Sequence, residues 1–414
     1  MDRIRERFRW FNRGNRVNES LPPALPCLPD ERPRPLTATP CSPAATSHSS
    51  LFQLVPPEIR RAILIEAFGE RTLHFDVRLE HPLRKVRANG KNGMKSATQC
   101  DGNKQLFHGN QHMFHRKVRD PRQPREWTWW SSVCHRNFPS RHFHRSPPGD
   151  RNFVDPAEDR CRRPYGGQIS LYCEYYPGTM PSKCFIGVLP WLLTCRQAYI
   201  EGIDILYATN RLHIAHAGIL INLTRFLTPE RLQMIRDVEL VWSLCLSSSG
   251  ADREWTIGAE EDQFRDVYDR LTMLSHIPRV LPNLQLLHLS FKDGGRALGT
   301  VIDADGLCGP KLYDATETLL RSIDTMVLMQ LARLRECRIS LPTSLYWTRV
   351  MLEKHEHDIW SLEAPAEALR LWRTIDYTVV STQPTTERCN KIEGYWITHG
   401  ELEFWDPTYL PSEL

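Results

Sequence analysis

DQFRDVYDRLTMLSHIPRVLPNLQLLHLSF, residues 262–291, passes from one hydrophobic period to another within thirty positions. Phe264, Val267, Tyr268, Leu271 and Leu274 recur at three- and four-residue spacing, which predicts an amphipathic helix. After Pro282 and Asn283 the spacing changes to alternation (Leu287, Leu289, Phe291), which predicts a strand. The same passage occurs twice more. LTPERLQMIRDVELVW, 227–242, runs from helix into a strand beginning near Asp237, and LLRSIDTMVLMQLARLRECRISLP, 319–342, runs into one beginning near Arg335. With the first strand beginning near Gln285, the period is about fifty residues, longer than the roughly 20–29 residues of a standard leucine-rich repeat. Irregular, leucine-rich-like helix–strand units follow, in an α/β fold whose parallel strands need crossover connections of this kind. GYWITHGELEFW, 394–405, predicts a terminal hairpin turning at His399 and Gly400.

Upstream, GVLPWLLTCRQAYIEGIDILYATNRLHI, 187–214, predicts one helix and the start of a strand. Leu192, Cys195, Ala198, Tyr199, Gly202, Ile203 and Leu206 share its apolar face, with Asn210 as its stop and Gly202 a point of close backbone approach. Arg196, Glu201 and Asp204 fall opposite, as a solvated face with local ion pairs. The first segment able to begin a core is LFQLVPPEIRRAILIEAFG, 51–69. Pro56 and Pro57 suit a helix entry, Glu58 complements the dipole, and Gly69 ends the helix, ahead of the strand RTLHFDV. Its wheel is apolar nearly all round, so the helix is expected to be covered on more than one side, and Ile63→Asp to unfold the domain.

The remainder is compositionally distinct. Residues 1–50 are dominated by Pro, Ser and Thr without a period and read as a disordered tail. Residues 81–180 read as a basic, low-complexity insert, 181–414 as a helix–strand domain continuing the core begun at 51–80. Within 81–165, 18 Lys and Arg face 7 Asp and Glu, a balance of +11 in a chain of net +4. With +3 on residues 1–50, the folded part is left acidic.

Two stretches carry a family resemblance. LVPPEIRRAILIEAF resembles the F-box core, and LLTCRQAYIEGIDILYATNRLHI with FLTPERLQMIRDVELVW resembles a large fungal family of unknown function, domain of unknown function family 7730. That family pairs an F-box-like start with a Thr-Cys-Arg helix and a Leu-Tyr-x-x-Asn ending, and the resemblance spans 51–80 and 185–345. It implies a non-enzymatic interaction protein, with Leu54, Pro57, Ile59 and Ile63 as candidates for docking onto the F-box adaptor of a ubiquitin ligase and an unknown protein target elsewhere.

Other readings stay beside this one. Arg side chains interleaved with Trp127, Trp129 and Trp130 suit a nucleic-acid-associated protein, binding through the insert 81–165. Cys100, His108, His112, His115, Cys134, His135, His142 and His144 are metal-ligand types, but no CxxC pair or finger spacing organises them, so no metal or cofactor is expected. Cys195 reads as a buried structural thiol, His355 and Asp358 lack metalloprotease spacing, and no phosphate loop or nucleophile elbow occurs, so no catalytic residue is assigned. Scattered cysteines and the absence of any apolar run near 18 residues point to an intracellular protein, cytoplasmic or nuclear, with no membrane partner.

Overall fold

The computed structural model describes residues 23–29, 49–85, 117–119, 122–136, 155–159, 161, 176, 178, 182–246, 255–258, 268–293, 308–328, 331, 333–342, 345–346, 348–350, 370–375 and 392–400. The chain enters through two helices, α1 (Ser50–Leu54) and α2 (Pro57–Phe68), and the strand β1 (Thr72–His74). Four short strands follow: β2 (Asp76–Glu80), β3 (Leu83–Lys85), β4 (Lys117–Arg119) and β5 (Glu126–Trp130). Next come α3 (Val188–Leu192), α4 (Arg196–Ala208), β6 (Arg211–Ile214), α5 (Ala217–Ile221), α6 (Leu223–Phe226), α7 (Pro229–Met234) and β7 (Asp237–Leu246). The last part holds β8 (Trp255–Gly258), β9 (Tyr268–Asp269), α8 (Arg270–Val280), β10 (Leu286–Asp293), α9 (Cys308–Ile323), β11 (Glu336–Leu341), β12 (Arg370–Thr374) and β13 (Gly394–His399).

The principal sheet runs β1-β6-β7-β10-β11-β13-β12, parallel along this path except for β12 at its edge, with β8 antiparallel to β7 and β9 antiparallel to β8. From β1 to β13 strand order follows chain order, so each helix-containing connection moves one place along the sheet. The fifty-residue period is real: β7, β10 and β11 begin at Asp237, Leu286 and Glu336. Helix α8 is shorter than its sequence implies. Tyr268 belongs to β9, which pairs with β8, and Phe264 and Val267 lie outside the described residues.

Alternation divides the sheet into two chemically different faces. Leu212, Ile214, Val238, Leu240, Trp242, Leu287, Leu289, Phe291, Cys337, Ile339, Tyr395 and Ile397 join the apolar core with Leu274 and Ile277 of α8 and Leu319 and Ile323 of α9. The opposite face carries a register row across six strands: His74, His213, Glu239, His288, Arg338 and Trp396. The first four are buried, which a polar row reaches only when something covers and pairs with it.

Part of the cover comes from the insert, which is less irregular than its composition suggests. β5, the EWTWW stretch, pairs with β2, and Val133 bridges Leu73 of β1. Cys134 N donates to Thr72 O, and His74 N donates to Ser132 O. The turn at Pro156–Glu158 lies against β7 and β10.

Three local expectations change. The 187–210 helix is two helices, because the chain turns at Leu193–Cys195 between α3 and α4. Gly202 is a close approach, but to side chains: a Cβ there would stand 2.6 Å from Trp191 Cδ1 and 2.9 Å from Leu192 Cδ2. Gly202→Ala is therefore expected to push Trp191 off α4 and to cost about 1–3 kcal/mol, read by urea denaturation and by a change in the near-ultraviolet dichroism of the indole. Beyond Gly400 the second strand of the expected hairpin lies outside the described residues, and the antiparallel partner of β13 is β12.

Candidate functional site

Helix α2 presents its aliphatic residues outward. Only Arg60 and Leu64, one turn apart, are buried. Arg60 is 7% exposed and donates through Nη2 to Glu201 Oε1 of α4 at 2.6 Å and through Nη1 to Val55 O at 2.6 Å. Arg61 reaches Asp204 Oδ2 at 2.6 Å between two exposed side chains. Glu201 is thus the seat of α2, while Asp204 makes the solvated ion pair expected of this face. Burial raises the Glu201 carboxyl, but the hydrogen bonds from Arg60 and Gln197 outweigh it and hold the group below its ordinary value. A second tie is Asn210, buried at the end of α4. Its Nδ2 donates to Phe68 O and Leu206 O, and its Oδ1 accepts from Arg71 N, so one amide joins the ends of α2 and α4 to the start of β1.

With Arg60 and Leu64 inward, Ile59 and Ile63 share the outer face at 53% and 51% exposure, with Leu54 at 77% and Pro57 exposed. All four docking candidates therefore stand on the surface. The expectation that Ile63 is core is overturned: the all-round apolar wheel could not choose a side, and the Arg60–Glu201 pair chose it. Leu189, Leu193 and Ile200 of the neighbouring α3–α4 region are exposed as well. Cys195 is not on a buried face; it caps α4, its Sγ accepting from Ala198 N at 3.4 Å, and Thr194 Oγ1 donates to Trp191 O at 2.8 Å.

The second concentration of chemistry lies under the insert, on the polar sheet face. Arg136 Nη2 meets Glu239 Oε2 at 2.6 Å with neither side chain exposed, and His213 Nδ1 lies 3.0 Å from the same oxygen. Asp159 sits between the two in-register histidines, its Oδ2 at 3.5 Å from His74 Nε2 and 3.7 Å from His213 Nε2. Cys134 Sγ lies 4.0 Å from Cys161 Sγ and 3.9 Å from Asp159 Oδ1. Burial works against ionisation of Asp159, but the charges of His74, His213 and Arg136 outweigh it and hold the carboxyl far below its ordinary value. Sequence spacing missed this group, because its members stand on separate segments that only the sheet register and the insert's return bring together. Of the Cys/His set at 100–144, only Cys134 and His135 lie among the described residues.

Further along the same face, Ser290 Oγ donates to Asp155 Oδ1, and His288 Nε2 lies 2.7 Å from Ser340 Oγ and 3.6 Å from Asp155 Oδ2. Both contacts use one ring nitrogen, so His288 does not relay between the carboxylate and the hydroxyl as a base in a nucleophilic triad would. Thr398 Oγ1 closes the chain on Ser340 Oγ at 2.8 Å.

Two tryptophans of the insert make contacts within the fold. Trp129 packs at 5.1 Å from both Phe75 and Phe226, and Trp127 Nε1 donates to Pro23 O at 2.6 Å. Among the described residues Cys27, Cys134, Cys161, Cys184, Cys195 and Cys337 are free thiols. No described helix is long and apolar enough to cross a membrane.

A family model for a domain of unknown function, DUF7730, matches the stretch from the insert's return to the first turns of α8. The match covers residues 142–276 of the chain. The DUF7730 stretch includes Asp155, Asp159 and Cys161, the α3–α4 pair and strands β6 to β8, and overlaps the resemblance placed on 185–345. Leu54, Pro57, Ile59, Ile63, His74 and Cys134 lie ahead of it. No curated protein and no solved structure matches the chain.

Proposed function

We infer that this is a non-enzymatic protein-interaction protein. In this reading α1 and α2 act as an F-box-like element that docks onto the adaptor of a ubiquitin ligase, and the helix–strand succession acts as leucine-rich-like units that hold a target protein. The observation that carries it is the orientation of α2. A helix pinned by a buried arginine on one side, with Ile59 and Ile63 outward on the other, has the spacing by which a helix face fills an apolar groove. Aliphatic side chains this exposed on a rigid helix also suit a partner more than solvent.

The alternative reading, nucleic-acid binding through residues 81–165, loses part of its basis. Two of its three stacking candidates, Trp127 and Trp129, are committed to intramolecular contacts.

The test compares full-length protein with Leu54→Ala/Pro57→Ala and Ile63→Asp variants for binding to a purified F-box adaptor. Ile63→Asp is expected to change stability by less than about 0.5 kcal/mol, as exposed substitutions do, and to weaken binding by about thirty-fold or more, the loss of one central contact. An Ile63→Asp protein that unfolds would return α2 to the core. Wild-type protein that ignores the adaptor would remove the ligase reading. Steeply salt-dependent binding of DNA or RNA would favour the alternative.

A further inference from the structure

We propose that His74, Cys134, Asp159 and Cys161 form a structural zinc site that fastens the insert onto the polar face of the sheet. The four side chains are buried, and one donor atom from each lies within 4.8 Å of all the others. Tetrahedral zinc bonds sulfur at about 2.3 Å and nitrogen or oxygen at about 2.0–2.2 Å, which sets ligand-to-ligand edges near 3.8 Å for two sulfurs and near 3.4 Å for nitrogen and oxygen. Two observed edges are 4.0 Å between the sulfurs and 3.5 Å between His74 Nε2 and Asp159 Oδ2, and the second carboxylate oxygen, Asp159 Oδ1, lies 3.9 Å from Cys134 Sγ. With every donor atom within 4.8 Å of the others, an ion at the centre would draw the four inward by less than about 1 Å.

The surroundings have the form that orients metal ligands. Asp159 Oδ1 accepts from Cys161 N at 3.0 Å, which fixes the carboxylate and leaves its buried Oδ2 directed at the two histidines. His213, with Nδ1 on Glu239, turns Nε2 toward Asp159 at 3.7 Å. His213 thus stands as an outer group beside the ligating carboxylate, and such outer partners orient metal ligands. Charge argues the same way. Two thiolates and a carboxylate enclosed together would carry −3, most of which a divalent cation offsets. A disulfide is the competing use of the two sulfurs, but 4.0 Å is about twice the bonded S–S length.

The site explains what the insert's composition leaves unexplained. Residues 132–136, 155–157, 159 and 161 have little apolar surface, yet they lie buried on the sheet. Cys134 stands next to the Val133–Leu73 bridge, and Cys161 follows the turn on β7 and β10, so one ion would clip β1 to both segments. Metal binding of this kind is itself folding free energy.

The test uses the full-length protein, expressed with zinc and dialysed against chelator-free buffer, with metal content read by mass spectrometry alongside a thiol titration. One zinc per chain is expected, falling to a small fraction in Cys134→Ser and Cys161→Ser. Chelation should lower Tm by about 5 °C or more, and added zinc should restore it. Should the serine variants fail to fold, cobalt replaces zinc in the wild type: thiolate-to-cobalt charge-transfer absorption is expected, with tetrahedral ligand-field bands. Absence of stoichiometric metal and of any chelator effect would overturn the proposal. So would a Cys134–Cys161 disulfide in the thiol count, or zinc retained in a folded double-serine variant.

Discussion

Replacing Arg136 by Met is expected to destabilise the protein by about 3–5 kcal/mol, because it strands Glu239 as a buried charge that has lost its principal partner. Glu239 is enclosed at the centre of the sheet. Burial alone would raise its carboxyl; the Arg136 charge is the largest of the effects that instead hold it well below its ordinary value, ahead of His213 and His288. Arg211 Nη1 also donates to Oε1, at 3.4 Å, a longer and more exposed contact than the Arg136 pair. The double variant Arg136→Met/Glu239→Gln should recover much of the loss, since removing both charges removes the uncompensated one. Urea denaturation of the two singles and the double gives the coupling. A loss below about 1 kcal/mol for Arg136→Met would mean that water or a rearranged Arg211 reaches Glu239.

The second large effect is acid sensitivity at the other end of the sheet. Glu317 of α9 accepts from Arg373 Nη1 and Nη2 at 2.9 Å each and from Arg349 Nη1 at 3.0 Å, while Arg373 also holds Asp324 at 2.8 Å. Burial pushes the Glu317 carboxyl up, but the hydrogen bonds from Arg373 and Arg349 prevail and lower it to about 2. The group is more acidic folded than unfolded. Its contribution is therefore complete above its unfolded value of 4.5 and is lost as pH falls from there toward about 2. With the site half-open to solvent, the loss should be roughly 2 kcal/mol. Urea denaturation at pH 5 and pH 2.5, comparing wild type with Glu317→Gln, isolates it: the gap between the proteins should close in acid. A gap of equal size at both values would show that the arginines bind the neutral side chain as well.

Sequence reading succeeded where the signal is local. Alternation in 237–242 and 285–291 is a property of neighbouring residues, and it sets which face of each strand is apolar. Even the succession of parallel strands was legible, because a helix pattern separated each strand from the next. The Thr-Cys-Arg stretch was recognisable as a pattern, but its physical basis was not. Cys195 caps α4, and Asn210 ties that helix to Phe68 and Arg71, contacts that span about 140 positions.

Taken alone, the amino-acid sequence determined the helix–strand order, the fifty-residue spacing of β7, β10 and β11, and the apolar face of each strand, since all of these follow from residue periodicity. Tertiary structure decided which side of α2 faces inward. Ile59, Ile63 and Leu64 are similarly apolar, and only Glu201, 141 positions from Arg60, sets their orientation. It also decided the polar face. His74, His213, Glu239 and His288 form a row only because four strands pair in that register, and Cys134, Asp159 and Cys161 meet it only because the insert folds back over the sheet. A register or a return path is set by the free energy of the whole assembly, and no window of the chain contains it.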